Sequence, residues 1–241
     1  MSGIALFDVD GVLVNGFTMM SLGRLLFRRG ILPRRRWLKV LADYAAYRTG
    51  AISYAQFAAT SKPDFALALA GLSKAKVVQA AKELCQKRLR LYWYAEPLVK
   101  LFKGQDILTV AISGAPEECT LPLKTRLGLD EFYGTIFEVD DKGAYTGRIS
   151  RNMAIRASKE AVTNALRQRA DFSNSFAFGD TDQDLPLLEN VAHPVAMNPK
   201  GELLKIAAAR GWKVITYRHH VLRQVRVLFG ELVPGHSSDP G

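Results

Sequence analysis

Ile4-Ala5-Leu6-Phe7-Asp8-Val9-Asp10-Gly11-Val12 is an apolar run of strand length that ends in two acids one residue apart. A short apolar run of this kind reads as a buried strand, and Gly11 lets the chain leave it tightly. Two further stretches share the shape. Leu108-Thr109-Val110-Ala111-Ile112-Ser113-Gly114 is an apolar strand that ends in a hydroxyl and a glycine. Phe176-Ala177-Phe178-Gly179-Asp180-Thr181-Asp182-Gln183-Asp184 is another that runs into acids. In an open parallel α/β sheet the carboxyl ends of the strands converge on the ligand crevice. Asp8, Asp10, Ser113, Asp180 and Asp184 are therefore expected to meet there.

Working outward, the pattern from about Thr18 to Trp93 is helical. Leu22, Leu25 and Leu26, then Trp37, Leu38 and Leu41, recur at three- and four-residue steps. Gly30 with Pro33, Gly50 with Ser53, and Gly71 with Ser73 mark the breaks. This stretch carries no strand signal and predicts a separate helical layer. From Glu96 an α/β pattern resumes. It predicts a helix over Pro97–Phe102, a strand over Ile107–Ile112 and a helix over Pro116–Leu127. Tyr133–Val139 and Ala144–Ile149 flank a turn and read as a hairpin. A helix carrying Lys159, a strand Ser175–Phe178, a helix from Asp184 to Asn190, and strands His193–Met197 and Lys213–Thr216 complete the pattern. The fold class expected is α/β, a doubly wound and mostly parallel Rossmann-like sheet with an inserted all-helical cap. Residues 1–15 and 95–233 form the core, 16–94 the cap and 234–241 a flexible tail.

A chain of 241 residues suits one α/β domain with a smaller insert. The two cysteines, Cys85 and Cys119, lack metal-ligand spacing and read as free thiols. With no charged and then apolar leader and no apolar run of about 20 residues, a cytoplasmic location is expected. The net charge of +10 is uneven. Arg24, Arg28, Arg29, Arg34, Arg35, Arg36, Lys39 and Arg48 stand against the single acid Asp43, and a second basic stretch holds Lys205, Arg210, Lys213, Arg218, Arg223 and Arg226. Such clusters either form a solvated helix face or favour anionic partners. Weak contact of Arg24–Lys39 with an anionic membrane surface is expected, because Leu25, Phe27, Leu32 and Trp37 give the mixture that an interfacial helix uses. Nucleic acid is not favoured as a partner.

The order of these motifs resembles the haloacid dehalogenase (HAD) superfamily, in its phosphoserine-phosphatase-like branch with a helical cap after the first motif. Asp8 and Asp10 match the first motif, Ser113 the second, Lys159 the third, and Asp180 with Asp184 the fourth. The resemblance implies a magnesium-dependent phosphatase that acts on a small phosphomonoester through an aspartyl-phosphate. Asp8 would be the nucleophile and Asp10 the proton donor and later base. Ser113 and the Gly114 N–H would hold phosphate, and Lys159 would contact both phosphate and Asp8. Asp8, the main-chain carbonyl of Asp10, and Asp180 would ligate Mg²⁺, with Asp184 bound directly or through water. Asp182 also suits a helix N-cap, and Asn198-Pro199-Lys200 a structural turn.

The cap departs from the phosphoserine enzymes. They place an acid for the substrate amine where this chain has Phe17, and a cap arginine for the carboxylate where it has Phe65-Ala66-Leu67-Ala68-Leu69-Ala70. Lys62 is the nearby cation. This apolar cap predicts a leaving group of hydrocarbon or aromatic character. Two other functions remain open: a phosphatidylglycerophosphate-like lipid phosphatase at the membrane, and a non-catalytic module that binds anions or nucleic acid.

Overall fold

A computed structural model describes residues 2–216 and 221–232 of the chain. At its centre is a seven-stranded sheet in the order β4-β3-β2-β1-β5-β6-β7. β1 (Gly3–Phe7) pairs in parallel with β2 (Leu108–Pro116) on one side and β5 (Asp171–Gly179) on the other. β3 (Glu131–Val139) runs parallel beside β2, and β4 (Tyr145–Arg151) closes that edge as its antiparallel partner. β6 (His193–Met197) and β7 (Lys213–Ile215) extend the other edge in parallel. The chain winds outward from β1 in one direction and then, from β5, in the other. The carboxyl ends of β1, β2 and β5 thus flank a topological switch point.

β1 is buried along its whole length, which is why it reads as unbroken apolar sequence. Alternate side chains enter two cores: Ala5 and Phe7 join one, Ile4 and Leu6 the other. In the first core Phe7 stacks on Phe178 at 5.0 Å, and Phe102 meets both rings edge-on.

Between β1 and α5 (Ala95–Lys103) the chain forms a helical layer. It comprises α1 (Thr18–Arg28), α2 (Arg34–Arg48), α3 (Tyr54–Leu69) and α4 (Lys74–Glu83), which runs into a π-helical turn, Leu84–Arg88. The breaks fall where glycine, proline and serine predicted them. α6 (Glu117–Leu127), α7 (Arg156–Arg167), α8 (Leu185–Leu188), α9 (Glu202–Ala209) and α10 (Val221–Leu232) belong to the α/β part.

Several expectations need correction. β2 does not stop at Ile112 but continues through Ser113 to Pro116, with a register shift against β3 that keeps the strand paired. α6 opens one residue later, and its first turn carries Glu117 and Glu118, so the chain's own acids complement its dipole. β5 starts at Asp171, four residues early. The segment from Asp184 to Asn190 is not one helix: a 3₁₀ turn over Asp182–Asp184 precedes the single turn of α8. Its N-cap is Thr181 rather than Asp182, which instead pairs with Arg156 at 2.8 Å.

The apolar cap residues are interior. Phe65, Ala66, Ala68 and Leu69 are buried, and Phe65 packs on Phe137 of β3 at 5.6 Å between ring centroids. Trp37, Leu25 and Leu32 are also buried, so the hydrocarbon attributed to an interfacial helix belongs largely to the core. Phe27 alone of that set is exposed. The expected tail at 234–241 and the residue Arg218 lie outside the described residues.

Candidate active site

Asp8 follows β1 directly, and its N–H donates to the Phe178 carbonyl of β5 at 2.9 Å. Asp180 follows β5 in the same way, so parallel pairing of the two strands sets the two acids side by side. Asp184 returns to them because the Thr181-capped turn folds its carboxylate back. Its Oδ2 accepts from the N–H groups of Asp180 and Thr181 at 3.0 and 3.1 Å. One carboxylate oxygen each from Asp8, Asp180 and Asp184 lie within 4.8 Å of one another. All three acids are buried.

Glycine is required where the backbone closes around this cluster. Gly11 has φ of 96°, and a Cβ there would come within 2.0 Å of Asp180 Oδ2. At Gly179 a Cβ would sit 2.5 Å from that of Asp184.

Two lysines hold the acids. Lys159 reaches from α7 and donates to Asp8 Oδ1 at 2.9 Å and Asp184 Oδ1 at 2.5 Å. Lys200, past the end of β6, donates to Asp180 Oδ2 at 2.5 Å. Burial pushes the Asp8 carboxyl well above its usual range, with Lys159 pulling against it. Burial likewise pushes Asp180 up to about 7, against the opposing pull of Lys200. Burial alone would lower the Lys159 ammonium, but Asp184 and Asp8 outweigh it and hold the group above its ordinary value. Three buried carboxylates with two ammonium groups form a set of hard oxygen donors short of positive charge. That donor chemistry fits a magnesium ion at Asp8 and Asp180, with Asp184 behind them because both its oxygens are already engaged.

Asp10 is turned away from the triad. Its Oδ1 accepts from the Thr18 N–H at 2.9 Å and the Thr18 hydroxyl at 2.5 Å. Burial raises its pKa, and the Thr18 hydrogen bonds resist the rise. Ser113 Oγ accepts from the Ala115 N–H at 3.2 Å, leaving the hydroxyl proton to donate elsewhere. At Gly114 a Cβ would stand 3.0 Å from Ala154 Cβ and 3.3 Å from Lys62 Cε.

Asp8, Asp10, Ser113, Gly114 and Lys159 share one enclosed cavity of about 20 Å³ with cap residues. The cap contributes Phe17 and, from α3, Tyr54, Phe57, Ser61 and Lys62. Phe17 does line the site, as its sequence position suggested. The stretch Phe65–Ala70 does not: α3 passes the cavity with its first half, and by Phe65 the same face has reached β3. Lys62 is 7% exposed, and its ammonium has the Met19 sulfur at 3.6 Å but no carboxylate within 4.0 Å among the described residues. Burial lowers its pKa while Asp10 and Asp8 resist. Ser61 Oγ is buried without a hydrogen-bond partner.

Thr18, Lys62 and Lys200 were not among the expected site residues. Lys200 had a usable signal, since it lies shortly past a strand end, as Asp8 and Asp180 do. Lys62 had little, because a helical lysine is ordinarily a surface residue.

Residues 5–189 match the family model described as haloacid dehalogenase-like hydrolase. A Streptomyces azureus protein named for inhibition of morphological differentiation is 26% identical over 245 residues, covering 98% of this chain and 84% of its own. A histidinol-phosphatase of Neisseria meningitidis is 26% identical, covering 90% of this chain and 100% of its own. A phosphoserine phosphatase of Mycobacterium tuberculosis is 27% identical, covering 90% and 72%. Among solved structures, a Bordetella pertussis protein of unknown function superposes with a TM-score of 0.73 at 26% identity, covering 89% of this chain and 98% of that one. A substrate-bound phosphoserine phosphatase shares the fold, with a TM-score of 0.67 at 20% identity over 95% of this chain and 98% of that one.

Proposed function

The chain belongs to the haloacid dehalogenase-like hydrolases, and from that premise we propose that it is a magnesium-dependent phosphatase of small phosphomonoesters in which Asp8 is the nucleophile. One observation carries the reading: Asp8, Asp10, Ser113, Gly114 and Lys159, drawn from two neighbouring strands and a helix, line a single cavity.

In this reading Asp8 attacks phosphorus while its Oδ1 stays anchored on Lys159. The bond from phosphorus to the leaving oxygen breaks, and Asp10 gives that oxygen a proton. Burial raises the Asp10 pKa, the direction a proton donor needs, and the double hydrogen bond from Thr18 fixes its orientation. In the second half Asp10 takes a proton from water, the water oxygen attacks phosphorus, and the Asp8 carboxylate is released with inorganic phosphate. Ser113 Oγ and the Gly114 N–H bind the phosphate oxygens, and Lys159 with Lys62 balances their charge. Asp8, Asp180 and the Asp10 carbonyl would hold magnesium, with Asp184 orienting them. The bound ion would supply positive charge to the phosphoryl oxygens and keep the carboxylates ionised.

Relatives carry the names phosphoserine phosphatase and histidinol-phosphatase, and both of those substrates bear an amine. Here Asp8 and Asp10 are the only acids among the described residues that line the cavity, and both have assigned tasks. The aromatic wall and the buried Lys62 instead favour a leaving group without a cation. Phosphoserine is expected to be a poor substrate beside aryl and sugar phosphates, measured as kcat/KM, and a clear preference for phosphoserine would refute this reading of the cap.

The mechanism is tested with Asp8→Asn, which keeps the side-chain volume. Turnover of p-nitrophenyl phosphate should fall by several orders of magnitude with the fold intact by circular dichroism. Near-native turnover in that variant would remove Asp8 as nucleophile.

A further inference from the structure

Phe17 lines a second cavity as well, a surface cleft of about 570 Å³ in the helical layer. Arg24, Arg28, Arg48, Arg88 and Arg90 line it, and among the described residues no acid does. The arginines arrive from three places: Arg24 and Arg28 from α1, Arg48 from the last turn of α2, and Arg88 and Arg90 from the segment after α4. Tertiary packing therefore gathers them.

Local neutralisation accounts for one of the five. Glu83 takes Arg88 at 3.0 Å and also Arg29, just outside the cleft. Arg48 has only an uncharged partner, the Tyr44 hydroxyl at 3.1 Å. Arg24, Arg28 and Arg90 have no carboxylate partner among the described residues. Arg24 and Arg28 stand one turn apart on the same helix face, an arrangement that disfavours the helix unless an anion intervenes. A solvated arginine face would spread its charges over a convex surface. Here they surround a concavity with buried Leu25 and Leu84 at its base, which focuses the positive potential. Asn15 and Ser21 add uncharged hydrogen-bonding groups to the wall.

We propose that this cleft binds a ligand carrying two or more phosphate groups, either a soluble polyphosphate or a lipid headgroup of the same chemistry. The guanidinium fork matches phosphate oxygens in pairs, and four forks without a carboxylate partner around one cavity call for more than one phosphate. The site is separate from the catalytic cavity apart from Phe17, so it stands whether or not Asp8 is a nucleophile.

The experiment uses the full chain carrying Asp8→Asn, so that no probe is hydrolysed. Inorganic tripolyphosphate is titrated calorimetrically into this protein, into the same protein with Arg24→Gln and Arg28→Gln, and into one with Lys142→Gln and Lys205→Gln. The last pair removes equal charge from exposed positions outside the cleft. The Kd is expected to rise at least tenfold for the arginine pair and no more than about twofold for the lysine pair. A parallel sedimentation series uses vesicles of phosphatidylcholine with and without a phosphatidylinositol bisphosphate. Arginine-dependent binding of tripolyphosphate alone identifies a soluble ligand, and arginine-dependent binding of the bisphosphate vesicles a lipid one. Equal losses for the two pairs, or no binding of either probe, would overturn the proposal.

Discussion

Lys62 carries the sharpest physical contrast in the molecule at the residue scale. Lys159 and Lys200 are buried or half-buried beside carboxylates, so their charge is balanced within the fold. Lys62 is buried just as deeply with a thioether for company. An ammonium taken out of water without a partner is costly, and here the phosphoryl group would be that partner. Lys62→Met preserves length and hydrocarbon. It should raise KM for p-nitrophenyl phosphate by about tenfold or more, the scale of one charge-assisted hydrogen bond, and should not lower Tm. A fall in Tm with unchanged KM would assign the residue to structure instead.

At the element scale, α3 is the helix that decides the shape of the site's cap side. It presents Tyr54, Phe57, Ser61 and Lys62 to the cavity and then buries Phe65 and Leu69. Its start is held by a capping box: Ser53 Oγ accepts from the Gln56 N–H at 3.2 Å, and Gln56 Oε1 accepts from the Ser53 N–H at 2.8 Å. Tyr54 and Phe57 lie in the first turn, so fraying there loosens the aromatic wall with Phe17. Ser53→Ala should cost about 1 kcal/mol of stability, a few degrees in Tm for a chain of this size. It should also raise KM more than it lowers kcat, because the reacting groups sit on the sheet. Steady-state kinetics alongside thermal melts would separate the two effects.

At the scale of the whole molecule, the clustered acids link stability to pH and to metal. Asp8, Asp10 and Asp180 all have folded-state pKa values raised chiefly by burial. A raised acid binds its proton more tightly in the folded state. Its stabilisation is full below the unfolded pKa and is lost as pH rises through the folded one. With Asp180 at about 7, the chelated protein should lose Tm progressively between about pH 4 and pH 8. Millimolar magnesium should restore Tm most at the alkaline end, where the carboxylates are ionised, and should be required for turnover. A Tm of the chelated protein that rose across that window, or full activity in excess chelator, would contradict the site as assigned.

The motif residues were legible because their signals are local. An apolar run long enough for a buried strand, followed at once by Asp8, Ser113 or Asp180, states both the strand and the position of its polar end. Parallel pairing then brings such ends together with little further information. The helical cap was legible for the same reason, since Gly30, Pro33, Gly50 and Ser53 punctuate a clear periodicity. What faces what was not. Periodicity marks Trp37 and Phe65 as apolar but does not say whether lipid, substrate or protein will cover them. The packing of α1, α2 and α3 on one another and of α3 on the sheet decided for protein. The same packing drew Lys62 inside, placed Lys200 on Asp180 and gathered arginines from three separate segments around one cleft. Those juxtapositions join residues far apart in sequence, so only the tertiary structure could decide them.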